Sequence, residues 1–301
     1  MKLIKPSFEI IPQAVGLEGI YKQIERAGRT CYKSEDKITE DSAKEFVDRM
    51  IKSGHGAMLE HGTVYLFCHT EEYVDSNGDV QYYNPLEKYQ DNSYSALADS
   101  NEGMYVTTNL RVLVENNWLN DLKYICEPTE YHEKRVTVKF ICDRGVSHEF
   151  VRHRVFSFAQ ESTRYCNYSK DKFSNEITYI CPCWLDYDRV QELTEIANRD
   201  NKEVYRMGHD ESLSMEERGL CSFVYDMSNH EHGYLFQISA GWKAQEARAV
   251  LPNSLKTELV MTGFVCDWKH FFELRDAKSA HPQALELASP LHQEFLTRGY
   301  L

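Results

Sequence analysis

Arg152-His153-Arg154 opens a run to Tyr165 that gathers three arginines, a histidine and two serines into fourteen residues, the remaining polar members being Gln160, Glu161 and Thr163. Guanidinium forks bind phosphate through paired donors and stay charged at any working pH. Hydroxyls and an imidazole can complete the hydrogen bonding of a nucleotide or a flavin ring, so the segment reads as an anion site. A solvated basic turn is the competing reading of Arg-His-Arg taken alone. Ser162 is a candidate nucleophile only if a base is placed to take its proton, and spacing alone does not show whether His153 or His61 is so placed. His55, His61, Cys68 and His69 match no standard zinc-ligand spacing, so no metal site is expected.

Arg152-His153-Arg154, seven further residues and then Ser162 resemble the signature of the flavin-dependent thymidylate synthases. Three other segments resemble that family in the same order: Leu59-Glu60-His61-Gly62-Thr63, then Ala247-Arg248-Ala249-Val250-Leu251-Pro252, then Trp268 to Arg275 with Ala280-His281-Pro282-Gln283. The resemblance implies reductive methylation of dUMP to dTMP, with 5,10-methylenetetrahydrofolate as carbon donor, NADPH reducing FAD, and reduced flavin supplying the hydride. It implies that Arg152, His153 and Arg154 hold FAD with Thr63, Gln160 and His270, and that Glu149, Gln160, Ser162, Thr163, Arg164, Arg248 and Arg275 hold dUMP. Arg275 would stabilise charge developing on the uracil ring, Ser162 would serve as a ligand contact, and His61 would orient a ligand or help move a proton. A homotetramer with sites between subunits is implied as well. Four positions depart from the pattern: Ala159 where Asn is common, Glu149 for Gln, Gln160 for Glu, and Cys266 where some members carry a basic residue. No Gly-x-Gly-x-x-Gly or phosphate-loop pattern occurs, so a bound FAD needs side-chain partners.

Composition excludes several classes. The 301 residues are 42% hydrophobic and 27% charged, ordinary for a globular chain. A net charge of -13 repels nucleic acid and anionic membrane at long range, so neither is an expected partner. Four arginines between Arg144 and Tyr165 nevertheless form a positive island, which suits a small enclosed anion. No stretch approaches about 18 uninterrupted apolar residues and no leader pattern is present, so a cytoplasmic protein is expected. Nine cysteines, an odd number, suggest reduced thiols rather than a disulfide framework. Two other classes stay open at this point: a non-catalytic nucleotide- or RNA-binding module, and a metal-dependent hydrolase.

The elements that must position these residues interleave without regular strand-helix alternation, which predicts an α+β fold, a mixed sheet flanked by helices. Apolar spacing predicts helices over 17–28 and 39–54, and strands over 63–69, 104–110 and 135–142. A short helix over 143–151 should deliver the arginine run, followed by a polar loop and a strand near 177–181. Helices are predicted at 234–249, 267–277 and 282–298, and a strand at 255–262. The chain reads as one domain, 1–301. Residues 71–103 read as a loop or hairpin insert outside the core, and about 188–229 as an acidic helical elaboration broken near Gly208.

Overall fold

Val136, Val138 and Phe140 alternate with polar residues, and in the computed structural model, which describes residues 1–301, their strand lies inside a four-stranded sheet. The chain starts with β1 (Lys2–Ile4) and β2 (Ser7–Ile11), then α1 (Gly16–Tyr32), α2 (Ser42–Lys52) and α3 (Gly56–Leu59). Next come β3 (Thr63–His69), β4 (Glu71–Val74), β5 (Val80–Tyr83), β6 (Ala96–Asp99), β7 (Gly103–Asn109) and α4 (Leu110–Glu115). β8 (Arg135–Asp143) leads through α5 (Arg144–Phe150) to β9 (Ser157–Gln160) and β10 (Thr178–Ile180). The long helices α6 (Tyr187–Gly208) and α7 (Met215–Ser239) and the short α8 (Ala244–Ala247) precede β11 (Lys256–Phe264), α9 (Val265–Arg275) and α10 (Pro282–Thr297).

The α+β class holds, and the parallel and antiparallel pairings are divided among separate sheets. β2-β8-β11-β9 and β3-β7-β6 are antiparallel, β4 and β5 form a hairpin, and β1 pairs parallel with β10. In the first sheet, Thr262 stands opposite both Thr137 and Ser157, and Phe264 opposite Arg135. That register brings the start of β8, the end of β11 and the motif strand β9 to one edge.

Three large apolar clusters hold these elements, and a small fourth seats Ala27 of α1 on Ala159 and Val260. Val138, Phe140, Leu259 and Met261 pack under Phe150, Trp268, Phe271 and Phe295 from α5, α9 and α10. Trp268 is fully buried and satisfies its indole by donating from Nε1 to the Val136 carbonyl at 3.1 Å. Ile24, Phe46 and Val47 of α1 and α2 pack on Leu66 and Val106. Val190, Leu193, Val224 and Met227 of α6 and α7 pack with Met1, Leu3, Tyr179 and Leu255.

Three strands carry no sequence signal, and three expectations need correction. β1 and β2 were not foreseen, because short edge strands carry too few residues to show a period. Ser157–Gln160, inside the arginine run, is the strand β9, stabilised by its ladder with β11. The helix expected over 234–249 is instead the end of α7, whose buried face continues through Tyr234; the chain turns at Gly241, φ +95°, before α8 begins. Residues 71–103 lie outside the core only through Tyr83, since Leu86 and Tyr89 are fully buried and β6 pairs with β7. The 188–229 region builds a core with the N-terminal strand rather than decorating the surface, although α6 does end at Gly208.

Gly263 sits where that sheet edge meets the motif. A Cβ there would lie 2.6 Å from Cδ1 of Phe156, a side chain that is itself buried. Gly263→Ala is expected to cost about 1–3 kcal/mol through overpacking, read as a lower urea midpoint with unchanged slope.

Candidate active site

α5 is capped by Asp143, which accepts a hydrogen bond from Val146 N at 2.7 Å, and it ends by releasing the arginine run. Arg275, at the last turn of α9, meets that end. Its Nη1 donates to Glu149 Oε2 at 2.6 Å, its Nη2 to the Glu149 carbonyl at 2.9 Å, and its Nε to His153 Nε2 at 3.1 Å. His153 is buried, and burial, followed by the charge of Arg275 and of His270, pulls its pKa down to about 4. The ring is therefore neutral at pH 7, accepting at Nε2 and carrying its proton on Nδ1. His270 is exposed, with its ring centroid 6.3 Å from that of His153.

A second group surrounds a cavity of about 730 Å³ beside Arg154 and Ser157. Phe156, Phe158 and Phe264 give it aromatic walls, and Arg135 reaches it from the start of β8. Arg135 donates from Nη1 to the Glu60 carbonyl at 3.1 Å and to Thr63 Oγ1 at 3.2 Å, and from Nη2 to Ser157 Oγ at 3.4 Å, while its buried Nε has no partner. Burial lowers its pKa to about 10, which leaves it charged at neutral pH. Thr63, expected beside the flavin, is buried as an acceptor for Arg135.

His61 is fully buried behind this wall. Its Nδ1 lies 2.8 Å from Thr262 Oγ1, which in turn bonds Thr137 Oγ1, and its Nε2 has no partner. Burial first, and then the charge of Arg135, lower its pKa to about 3. That placement favours a role in holding the wall over direct contact with a ligand. The pKa is depressed on folding, so the neutral ring's contribution is complete above the unfolded value near 6.5 and is lost as pH falls toward about 3. Stability is expected to drop by about 2 kcal/mol or more between pH 7 and pH 4, and His61→Asn should flatten that slope in urea titrations. An unaltered slope in the variant would assign the acid lability to other groups.

The third group presents Ser162, Thr163 and Arg164. Arg248 Nη1 donates to Thr163 Oγ1 at 3.2 Å, and Ser162 N donates to the Cys31 carbonyl at 3.0 Å. The buried Glu161 anchors the loop by accepting from Lys256 at 2.8 Å and from Tyr168 OH at 3.1 Å. Arg164 is exposed, its guanidinium lying 5.4 Å from the centroid of the Tyr165 ring. Gln160 turns inward and donates to Ser147 Oγ and Thr257 Oγ1.

Arg152, Arg154, Arg164 and Arg248 make no ion pair, whereas Arg275 is paired with Glu149. No hydrogen bond joins the Glu149–His153–Arg275 group to the Thr163–Arg248 pair. Arg135, Lys256 and Thr262 escaped sequence reasoning, because each reads as one polar position in a strand. No group of three or more His, Cys, Asp or Glu side chains converges to hold a metal ion, and no helix is long and apolar enough to cross a membrane. All nine cysteines are free.

Residues 127–297, more than half of the chain, match the family model described as thymidylate synthase complementing protein. The chain belongs to this family. The segment shared with the thymidylate synthase complementing proteins holds Arg135, Arg154, Arg164, Arg248 and Arg275, while His61, Thr63 and Arg111 precede it. Proteins named flavin-dependent thymidylate synthase are similar over a comparable stretch. That of Corynebacterium glutamicum is 29% identical over 145 residues, 48% of this chain and 50% of that protein. That of Corynebacterium efficiens is 33% identical over 138 residues, 46% and 47% of the two chains, and that of Pyrococcus furiosus 28% over 157 residues, 52% of each. The chain spans about half the length of the curated relatives it matches. Among solved structures, a UMP/dUMP methylase PolB from Streptomyces cacaoi bound with 5-Br dUMP aligns over 99% of this chain and 93% of that one, at 15% identity and a TM-score of 0.41.

Proposed function

We propose that this chain is a flavin-dependent thymidylate synthase that methylates dUMP reductively to dTMP, taking the carbon from 5,10-methylenetetrahydrofolate and reducing equivalents from NADPH. The observation that carries this reading is the set of motif arginines left without carboxylate partners on a chain of net charge -13. Unpaired guanidiniums grouped around hydroxyls are suited to phosphate.

The residues around the 730 Å³ cavity fit a flavin. Its size lies within the range of small-molecule sites, its walls are aromatic, and Arg154 is uncommitted. Arg154 and Ser157 would hold the group, with Arg135 beside them. A reduced flavin bound there supplies the hydride for the reaction.

The chain's own residues do the rest. Ser162, Thr163, Arg164 and Arg248 bind the phosphate and sugar of dUMP, and Lys256 and Tyr168 hold their loop through Glu161. Arg275 stabilises negative charge on the uracil carbonyls, and Glu149 with neutral His153 fixes the direction of its guanidinium. The same reading makes the enzyme a cytoplasmic homotetramer in which residues of a neighbouring protomer complete each site. Tritium release from 5-labelled dUMP tests the reading. Release should require the folate donor, FAD and NADPH together, and well-folded tetramer that releases none under any combination would overturn it.

A further inference from the structure

The cavity beside Arg154 has a wall that does not come from the family-matched segment 127–297. Ser93, Tyr94, Asn109 and Arg111 line it together with the motif residues. Tyr94 is 65% exposed, an uncovered aromatic ring lining the same cavity as the uncommitted Arg154. Arg111 is ion-paired with both Glu60 and Glu115, which line the cavity together with Asp267, so it offsets part of the negative charge that would otherwise repel an anion.

We infer that residues 93–111 form part of the cofactor site, with Tyr94 stacking on a flat nitrogen heterocycle of the flavin and Arg111 keeping the cavity receptive to its phosphates. This rests on the flavin reading above. A cavity that combines an exposed aromatic ring with guanidiniums suits a flat heterocycle that carries an anionic substituent, and a flavin dinucleotide offers two such rings. Tyr94 is the contacting residue. Arg111 is a positioning residue that acts through Glu60 and Glu115.

Equilibrium titration of the full, flavin-stripped protein tests this, with FAD and FMN followed by fluorescence quenching and ADP by calorimetry. Tyr94→Ala and Arg111→Met should each raise the Kd for FAD by about tenfold or more, and Tyr94→Phe should restore it to within about threefold. Tyr94 is exposed, so its truncation leaves the fold intact and circular dichroism unchanged. A loss shared by FAD and FMN places the isoalloxazine on Tyr94, and a loss shared by FAD and ADP places the adenine there. If the wild type binds flavin and both variants bind it equally well, the inference fails. If the wild type binds no flavin, the functional reading fails instead.

Discussion

Arg275→Ala is expected to lower kcat for dTMP formation by about 10²–10³, the range seen when one preorganised donor to developing charge is removed. Three donors leave together in this variant: those to Glu149 Oε2, to the Glu149 carbonyl and to His153 Nε2. The Glu149 carboxylate then stands uncompensated where the uracil should bind, and His153 loses the partner that fixes its tautomer. Arg275→Lys keeps the charge but cannot reproduce a fork that contacts two residues at once, so it should recover less than about a tenth of the lost rate. Steady-state tritium release separates the effects. A fall mainly in kcat, with a smaller change in KM for dUMP, is the signature of a group acting on developing charge. Activity of Arg275→Ala within tenfold of wild type would remove Arg275 from that role and leave it as a structural partner of Glu149.

Arg154→Ala should strip the purified protein of most of its flavin. The side chain is exposed, makes no ion pair, and lines the cavity, so truncation removes ligand contacts without breaking any contact that holds the fold. One charge-assisted hydrogen bond to a phosphate contributes about 1.5–3 kcal/mol, so FAD affinity should fall by about 10- to 100-fold. The ratio of absorbance near 450 nm to that at 280 nm in the isolated protein measures retention, and the thermal midpoint of the flavin-free form should match that of flavin-free wild type. Full flavin retention would show that Arg135 and the aromatic walls bind the group without the motif arginine.

Much of the molecule was legible in the chain. The helices at 17–28 and 39–54 and the strands at 63–69 and 135–142 followed from period 3.6 and period 2, because each has one face in a single apolar cluster. The motif arginines were equally plain, since clustered guanidiniums on an acidic chain call for an anion wherever the backbone runs. Tertiary structure alone decided which polar residues share a space. Thr63 became an acceptor for Arg135 and His61 a buried neighbour of Thr262 through pairings between strands remote in sequence. Tyr94 and Arg111 line one cavity with the motif residues through the placement of β6 and β7, although Tyr94 lies in the segment 71–103 that reads as an insert. Periodicity reports which face of an element is apolar, a property of neighbours along the chain. The meeting of β8, β9 and β11 at Thr262 depends on inter-strand register, which local sequence does not encode.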